Sequence, residues 1–419
     1  MTEKDPNLSP SLFRTLTSIP RPILAVTLSV FLNRIGGFFA IFLTLVLAGR
    51  GYGPNEITLG LAVVAICGVA GAGVSGIVAE WIGSKNTVVL STGLSAFLSL
   101  SLVYVQGYAG TILLAGLMGA SLQAFSPIAQ AIIGEASPPE QRVSMFAVYR
   151  VALNIGVAGG AFLGGLWASE HMGTLLLGNA IASAFSSLLL FFVLPGQPRK
   201  EPRNWKDKRK PVQRGPGPLS DPRFAAVCVL FGLTSLVYAQ HTGSLPLAVT
   251  DNGFSAGLFG SLLAMNALLV IVFEVPIALG VQRLPVRIPI VLGAACVFVG
   301  FLVNALGIGW LVLIGGVLLW TLGEILVSPV SAAIASGAAP AGAGTRYQAF
   351  LGFCQMAGMS AGPALGVFLY GIDPQLPWLA SGVLGFFVAF LFFWLLPLDP
   401  GRLTTQRSND PNIRMGKQP

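Results

Sequence analysis

Long apolar runs recur along the chain, and each of them can cross a lipid bilayer as a helix. The hydrocarbon core of a bilayer requires about 20 apolar residues per transmembrane helix. We number the runs span 1 to span 12; they lie near residues 23–47, 57–79, 87–105, 110–133, 143–167, 174–194, 225–249, 257–280, 288–306, 310–338, 347–370 and 378–396. This pattern predicts an all-α membrane protein with twelve transmembrane helices.

The composition excludes an ordinary soluble protein. Only 10% of the 419 residues are charged, whereas soluble domains carry about 25% because their surfaces face water. The four cysteines all lie in apolar runs and lack the spacing of metal ligands or of a disulfide framework: Cys67, Cys228, Cys296 and Cys354. We therefore expect them to pack between helices, and we predict no metal site and no cofactor.

A polar segment separates span 6 from span 7. It is rich in proline and basic residues, so it cannot form a buried core. The sequence therefore predicts five parts, which are an N-terminal tail (1–22), a first six-helix bundle (23–194), a connector (195–224), a second six-helix bundle (225–396) and a C-terminal tail (397–419).

Basic residues are concentrated on one side of the predicted membrane. If the N-terminus is cytoplasmic, 21 of the 24 lysines and arginines fall in the tails, the connector and the cytoplasmic loops. Cytoplasmic segments carry such an excess, so both tails are predicted to be cytoplasmic. The net charge of +8 then reflects topology and contact with anionic lipid headgroups, not nucleic acid. Helices rich in alanine and glycine, with short outer loops, indicate a bacterial inner membrane.

The two halves repeat with a constant offset of 202 residues. Ser126-Pro127 recurs as Ser328-Pro329, and the glycines at 156, 160 and 164 recur at 358, 362 and 366. A shared offset requires the helices between these positions to have matching lengths, so two pseudo-symmetric six-helix bundles are predicted. Carriers built from two such halves hold their substrate between the halves, near the middle of the bilayer.

Two glycine-containing motifs extend this interpretation. The segment between spans 2 and 3 carries Gly76, Glu80, Gly83 and Lys85, and span 5 carries Gly156, Gly160, Gly164 and Gly165. They resemble motifs of the major facilitator superfamily, specifically of its twelve-helix drug:proton antiporter branch, and the resemblance covers essentially the whole chain. It implies the two-bundle fold and a cytoplasmic latch in which Glu80 caps a helix terminus. For the span 5 glycines, spacing at four predicts close helix packing.

Four charged residues lie within the spans: Arg34, Arg150, Glu274 and Glu324. Each costs roughly 2.5–3.5 kcal/mol at the middle of a bilayer, so it must pair or face water. In the family that the chain resembles, spans 1, 4, 7 and 10 line the central cavity. Here they carry Arg34, Gln123, His241 and Glu324.

The resemblance also implies that spans 5 and 8 meet across the two halves, which would bring Arg150 towards Glu274. Two interpretations remain open for this pair, a fixed ion pair between the bundles and a switchable pair coupled to transport.

Glu324 is the predicted proton site, with Glu274 next, because burial disfavours the charged form of a carboxyl group. His241 either handles protons or lines the cavity. Further polar and aromatic residues can line a pocket, and prolines within the spans predict kinks. These are Asn154, Asn266 and Gln355, Phe38, Tyr149, Tyr238 and Trp320, and the prolines at 127, 246, 276, 329 and 363.

The predicted function is secondary-active transport by alternating access, with proton-coupled export of drug-like or metabolite molecules. The alternative is a proton-coupled importer of peptides, sugars or other small solutes, because Asn33-Arg34 and the glycines after them loosely resemble the opening of peptide importers. The chain contains no nucleotide-binding loop and no metalloprotease motif, so an enzyme is not expected. Short outer loops leave little room for a receptor domain. The expected partners are the substrate, protons and the bilayer, with the protein acting as a monomer.

Overall fold

The computed structural model describes residues 19–137, 142–168, 172–195, 217–281, 284–340 and 344–396. Within these ranges the chain forms helices and no strands. Spans 1 to 6 are formed by Arg21–Ile35 with Phe38–Gly49, Pro54–Ile82, Ser84–Tyr104, Tyr108–Ala136, Arg142–Ala168 and Met172–Val193. Spans 7 to 12 are formed by Pro222–Tyr238 with Ser244–Asp251, Ala256–Val281, Arg287–Leu302, Trp310–Ala338, Gly344–Ile372 and Leu376–Leu395.

The prediction of an all-α membrane protein is confirmed. Eleven segments of the described chain are long and apolar enough to cross a membrane, and they correspond to spans 2 to 12. Span 1 is divided into helices of 15 and 12 residues, each shorter than a membrane-crossing helix. Span 7 is also divided, but its two helices follow each other through a 3-10 turn and together form one membrane-length segment. The predicted count of twelve is therefore plausible, with eleven membrane-length segments found in the described chain.

Two spans are broken near their middles. Span 1 breaks at Gly36 and Gly37, where a Cβ on Gly37 would lie 2.6 Å from the carbonyl oxygen of Asn33. Span 7 breaks at the 3-10 turn Ala239–His241. By contrast, the helices of spans 4, 8, 10 and 11 continue through their prolines. Non-helical backbone inside a membrane occurs where protein or a water-filled cavity satisfies it.

The predicted internal repeat is visible in the helix contacts. A Cβ added at Gly160 would meet the carbonyl oxygen of Arg34, and one added at Gly362 would meet the carbonyl oxygen of Leu236. Both members of the first contact are 202 residues from their counterparts in the second. Each glycine therefore allows its span to approach the same point of a broken helix.

A second repeated contact, which we call the basic clamp, ties span 3 to span 6 and span 9 to span 12. Lys85 Nζ donates to the carbonyl oxygen of Leu194 at 2.6 Å and lies 5.2 Å from the ring centroid of Phe191. Arg287 Nε donates to the carbonyl oxygen of Leu396 at 2.6 Å, and its guanidinium lies 4.7 Å from the ring centroid of Phe393. All three positions again differ by 202. The clamp satisfies a carbonyl that the helix end leaves without an intrahelical partner.

The chain forms two compact units, of which only the described residues are discussed. Unit 1 comprises Met1–Ala40, Ile66–Gly160 and His171–Arg203, and unit 2 comprises Ile41–Ala65, Ala161–Glu170 and Asn204–Pro419. The two tails and the middle of the connector lie outside the described residues. The predicted domain bounds and the cytoplasmic location of the tails therefore stay predictions.

Unit 2 includes parts of spans 1, 2 and 5, which pack against the second half of the chain. Thr44 Oγ1 donates to the carbonyl oxygen of Thr242 at 2.7 Å, and the rings of Phe42 and Phe259 meet edge to face, with centroids 5.4 Å apart.

At the contact that we call the glycine crossing, span 5 meets span 8. A Cβ on Gly165 would lie 2.9 Å from the Cα of Gly260 and 3.2 Å from the Cα of Gly257. The backbones approach closely because these positions lack side chains.

Candidate functional site

Glu324 of span 10 lies in a hydrogen-bonded group of side chains from three spans. Its Oε2 atom accepts from the Tyr238 hydroxyl at 2.9 Å and from Asn266 Nδ2 at 3.1 Å. Asn266 Nδ2 also donates to Thr321 Oγ1 at 3.0 Å. We call Tyr238, Asn266, Thr321 and Glu324 the carboxyl cluster. Asn266 and Thr321 are buried, so these bonds satisfy polar groups that would otherwise be costly within the protein.

Local structure explains how the members of this cluster meet. Thr321 and Glu324 are three residues apart on one helix and therefore share a face. Tyr238 ends the first helix of span 7, directly before the 3-10 turn, and Asn266 lies within span 8.

The cluster can hold either protonation state of the carboxyl. A tyrosine hydroxyl is both a donor and an acceptor, whereas a protonated carboxyl gains one donor. The Tyr238 hydroxyl donates to the ionised group, and its oxygen can accept from the protonated group. The arrangement is therefore compatible with binding and release of a proton at Glu324.

An aromatic layer covers this cluster and consists of Tyr238, His241, Phe301 and Trp320. The His241 ring stacks on Trp320 with centroids 5.8 Å apart and 23° between the planes. Phe301 stacks on the same indole, and Tyr238 meets both His241 and Trp320 edge to face. Trp320 is buried and contacts the other three rings.

The tautomer of His241 follows from its hydrogen bond. Its Nδ1 atom lies 2.7 Å from the carbonyl oxygen of Tyr238. A carbonyl oxygen can only accept, so we assign the hydrogen to Nδ1. In the neutral ring Nε2 is then the basic nitrogen, and it lies in the same aromatic layer as Tyr238.

Three predicted residues, all from the first half, lie in unit 1. Arg34 is exposed in the last turn before the break of span 1, and it interacts electrostatically with Tyr149. Gln123 is half-buried, and its Cγ would lie 3.1 Å from a Cβ on Gly68 of span 2. Arg150 is exposed on span 5.

The other three, Glu274, His241 and Glu324, lie in unit 2, where Glu274 is half-buried on span 8. The structure therefore brings Glu324 and His241 together through Tyr238. A shared cavity with Arg34 and Gln123, and a pair between Arg150 and Glu274, stay predictions.

The residues of the motif between spans 2 and 3 differ in their surroundings. Gly76 and Glu80 are exposed near the end of span 2, and Gly83 adopts a φ of 87° that a residue with a side chain rarely adopts. Lys85 belongs to the basic clamp. The latch role of Glu80 stays a prediction.

The span 5 glycines lie at close helix contacts. Gly156 and Gly160 face span 1 around Arg34, and Gly165 forms the glycine crossing. Gly164 is buried.

Metal ions require a set of ligand side chains that lie close together. In the described part of the chain, no group of three His, Cys, Asp or Glu side chains is placed to hold an ion.

The sequence indicates the partners of Glu324 only in part. Tyr238 and Asn266 are among the predicted pocket residues, but nothing in the sequence connects them with Glu324. The Thr-x-x-Glu spacing of Thr321 and Glu324 is the one signal that points to a polar face of span 10.

Membrane-length helices, two broken spans, an internal repeat and a hydrogen-bonded carboxyl within the spans together define a multi-pass membrane protein of the transporter type. The family model of the Major Facilitator Superfamily matches residues 26–360 and 241–414. The chain belongs to this family.

Similar proteins agree with the assignment. The uncharacterized MFS-type transporter YttB of Bacillus subtilis (strain 168) is 25% identical over 364 residues, which cover 84% of this chain and 90% of the relative. A class G tetracycline resistance protein of Vibrio anguillarum is 32% identical over 139 residues, 32% of this chain and 34% of that protein. The crystal structure of a mutant of the nucleoside transporter NupG has a TM-score of 0.74 at 14% identity and covers 90% of this chain and 100% of that one. This last likeness shows the fold.

Proposed function

We propose that this protein exports drug-like or metabolite molecules in exchange for protons, by alternating access, in a cell membrane with both tails in the cytoplasm. The observation that carries the proposal is the hydrogen bond from Tyr238 to Glu324, supported by Asn266. The pair can accommodate a carboxyl with or without its proton, and a proton-coupled carrier must pass through both states in each cycle.

The position of the carboxyl supports coupling to a substrate. Glu324 lies within span 10 and contacts span 7 directly at its break. Discontinuous helices surround the binding sites of many carriers, because their free backbone groups and small movements serve both recognition and gating. A proton bound here would therefore change the interaction of spans 7 and 10.

Export is favoured over import by two further observations. The chain shares 32% identity over 139 residues with a tetracycline resistance protein, and resistance is the effect that removal of a toxic compound produces. The glycines of span 5, which resemble the antiporter motif, lie at tight helix contacts, including the glycine crossing.

The alternative is proton-coupled import of a small solute. The fold match to a nucleoside transporter covers nearly the whole chain, and the Asn33-Arg34 opening of span 1 is loosely similar to that of peptide importers. Both directions use the same fold, so a transport experiment must separate them.

The first experiment measures protection of bacteria that lack their own drug exporters. Cells expressing the protein are expected to tolerate higher concentrations of at least one compound from a panel that includes tetracycline and ethidium. Glu324→Gln is expected to remove the protection at equal protein abundance. Asp373→Asn is the matched control because Asp373 is an exposed carboxyl in the loop between spans 11 and 12.

The second experiment uses purified protein in proteoliposomes with an imposed pH gradient and an internal pH dye. Proton movement that depends on the compound found in the panel is expected for the wild type and for Asp373→Asn, but not for Glu324→Gln. If no compound is exported, and a nucleoside, peptide or sugar instead enters cells faster, the importer is correct. Proton movement that persists in Glu324→Gln would exclude Glu324 as the coupling group.

A further inference from the structure

We propose that Gln240 is a positioning residue for the carboxyl cluster: it ties the break of span 7 to span 11 and thereby fixes the place from which Tyr238 donates to Glu324. The inference rests on the proposed function, because it concerns the same carboxyl.

The Gln240 side chain bridges three backbone elements. It is 4% exposed and belongs to the 3-10 turn Ala239–His241. Its Nε2 atom donates to the carbonyl oxygen of Gly362 in span 11 at 2.9 Å, and its Oε1 atom accepts from the hydroxyl of the buried Ser244 at 2.9 Å. A weaker contact joins Nε2 to the carbonyl oxygen of Leu236 at 3.4 Å. One buried amide thus connects both helices of span 7 with a neighbouring span.

Span 11 has a glycine where the Gln240 amide packs. A Cβ at Gly366 would overlap the Gln240 amide group, whose atoms are the nearest neighbours of that position. A Cβ at Gly243 would lie 2.6 Å from the Cα of Pro363. The second copy of the glycine motif, Gly362-Pro363-x2-Gly366, therefore packs directly on the break of span 7.

The turn that Gln240 holds also carries the donor to the carboxyl. Tyr238 lies two residues earlier, and its hydroxyl and carbonyl groups bond Glu324 and His241. A displacement of the turn would change both bonds. Because span 11 holds the turn and span 10 carries Glu324, a movement between these spans would alter the hydrogen bond on which the carboxyl depends.

The repeat provides independent support for a functional role. The positions 202 residues before Gln240 and Glu324 are Phe38 and Leu122, whereas Gly366 corresponds to another glycine, Gly164. The glycine scaffold is thus present in both halves, while the amide and the carboxyl occur together in the second. The need for close helix packing, which the glycines meet in both halves, does not explain why Gln240 and Glu324 lack counterparts in the first half.

The test follows the protonation of Glu324 in the purified full-length protein by infrared difference spectroscopy over a range of pH. Among the residues that the structure describes, the titratable side chains seen at this site include two members of the cluster, Tyr238 and Glu324, and His241, whose ring packs against Tyr238. The band of a protonated carboxyl that disappears in Glu324→Gln is assigned to Glu324. This readout requires no substrate.

Two variants remove the amide donor while they keep the approximate size of the side chain. Gln240→Met keeps the length of the chain and removes both polar atoms, and Gln240→Glu keeps the shape but, when ionised, cannot donate to Gly362. Both are expected to shift the Glu324 midpoint by about 0.5 pH unit or more, in the same direction as Tyr238→Phe. The control is Gln130→Met on span 4, where an exposed amide contacts Ser126; its midpoint is expected to equal that of the wild type.

A double-variant test covers the case in which the single changes disturb folding. Gly366→Ala alone is expected to shift the midpoint because its methyl group displaces the Gln240 amide. In a Gln240→Ala background the same change is expected to have no further effect, because the overlapping atoms are gone.

An unchanged midpoint in folded Gln240→Met and Gln240→Glu, alongside a shifted midpoint in Tyr238→Phe, would overturn the inference. Equal shifts from Gly366→Ala in both backgrounds would overturn it too. A protein that shows the expected titration shifts but moves no protons with any compound would refute the proposed function alone.

Discussion

The carboxyl of Glu324 receives hydrogen bonds from two helices other than its own. A charged group at the middle of a bilayer costs roughly 2.5–3.5 kcal/mol, and a hydrogen bond to a charged group contributes about 1.5–3 kcal/mol. Bonds from Tyr238 and Asn266 are therefore of the right size to offset the cost of the ionised state. The carboxyl can then change its protonation without a large change in the stability of the fold.

Removing the Tyr238 hydroxyl should change this balance. Tyr238→Phe keeps the ring that packs on His241 and Trp320 but removes a donor that stabilises the ionised carboxyl. We expect the pH midpoint of proton-driven transport to move to higher pH by about one unit, since 1.36 kcal/mol corresponds to one unit. The measurement is transport rate against pH in proteoliposomes. An unchanged profile would show that Tyr238 does not act on the coupling group.

The location of Glu324 within a span could be predicted from the sequence, whereas most of its surroundings could not; its role as the proton site stays a prediction. A charged residue in an apolar run can be recognised from the sequence alone, because the bilayer disfavours its charge on any face of the helix. The contacts of Tyr238 and Asn266 depend on how three helices cross, which periodicity does not determine. The role of Gln240 could not be predicted, because an uncharged polar residue in a span carries a smaller energetic cost than a charged one.

At the level of helices, the sequence predicted the spans, whereas the breaks of spans 1 and 7 are seen only in the structure. Apolar length fixes a membrane helix, so predicted and observed ends differ by only a few residues. The break in span 7 falls at Ala239–His241, before Pro246, whereas span 11 continues as a helix through Pro363. The break of span 7 contains no proline in its 3-10 turn. It coincides instead with close packing of Gly243 against Pro363 of span 11.

The basic clamp gives a test of the helix ends. Lys85→Met removes a charged donor to the Leu194 carbonyl, so we expect the protein in detergent to lose about 1 kcal/mol of stability, less than a fully buried charged bond would contribute. Arg287→Met should act similarly in the second bundle.

The exchange variants Lys85→Arg and Arg287→Lys are the controls for the clamp, because each retains a cationic donor. They should unfold near the wild-type temperature in a thermal unfolding measurement. If the methionine and exchange variants unfold at the same temperature, the clamp does not stabilise the helix ends.

For the whole molecule, the two halves share a scaffold and differ in chemistry. Tyr238, Asn266 and Glu324 stand where the first half has Gly36, Val64 and Leu122. The repeat was predictable because glycines at close helix contacts keep their spacing. The charge of Glu324 within a span could be predicted. Tyr238 and Asn266 could be predicted as pocket residues, but not as partners of this carboxyl.

The glycine crossing predicts that transport requires spans 5 and 8 to separate. In a protein whose four native cysteines are replaced, Gly165→Cys with Gly257→Cys should form a disulfide on oxidation after a small shift of the helices. The shift is needed because the Cβ of residue 165 would otherwise lie 2.9 Å from the Cα of Gly260. We expect transport to fall about tenfold or more, since gating steps limit turnover, and to recover on reduction.

Gly165→Cys alone is the control for the crosslink. Its added side chain can itself slow transport because it meets the backbone of span 8, so its rate is compared under oxidising and reducing conditions and should be the same in both. Full activity of the crosslinked pair would show that this contact stays closed throughout the cycle.

The carboxyl cluster is found in the second half alone, and this limits the concentration ratio that proton coupling can maintain. If Glu324 carries one proton per cycle, a potential of 100 mV supplies about 2.3 kcal/mol, and each 1.4 kcal/mol supports a tenfold ratio. An uncharged compound could then be held at most about 50-fold more concentrated outside than inside at equal pH. A larger ratio would demand a second acid in the cycle, and Glu274 is the carboxyl that the chain offers within span 8.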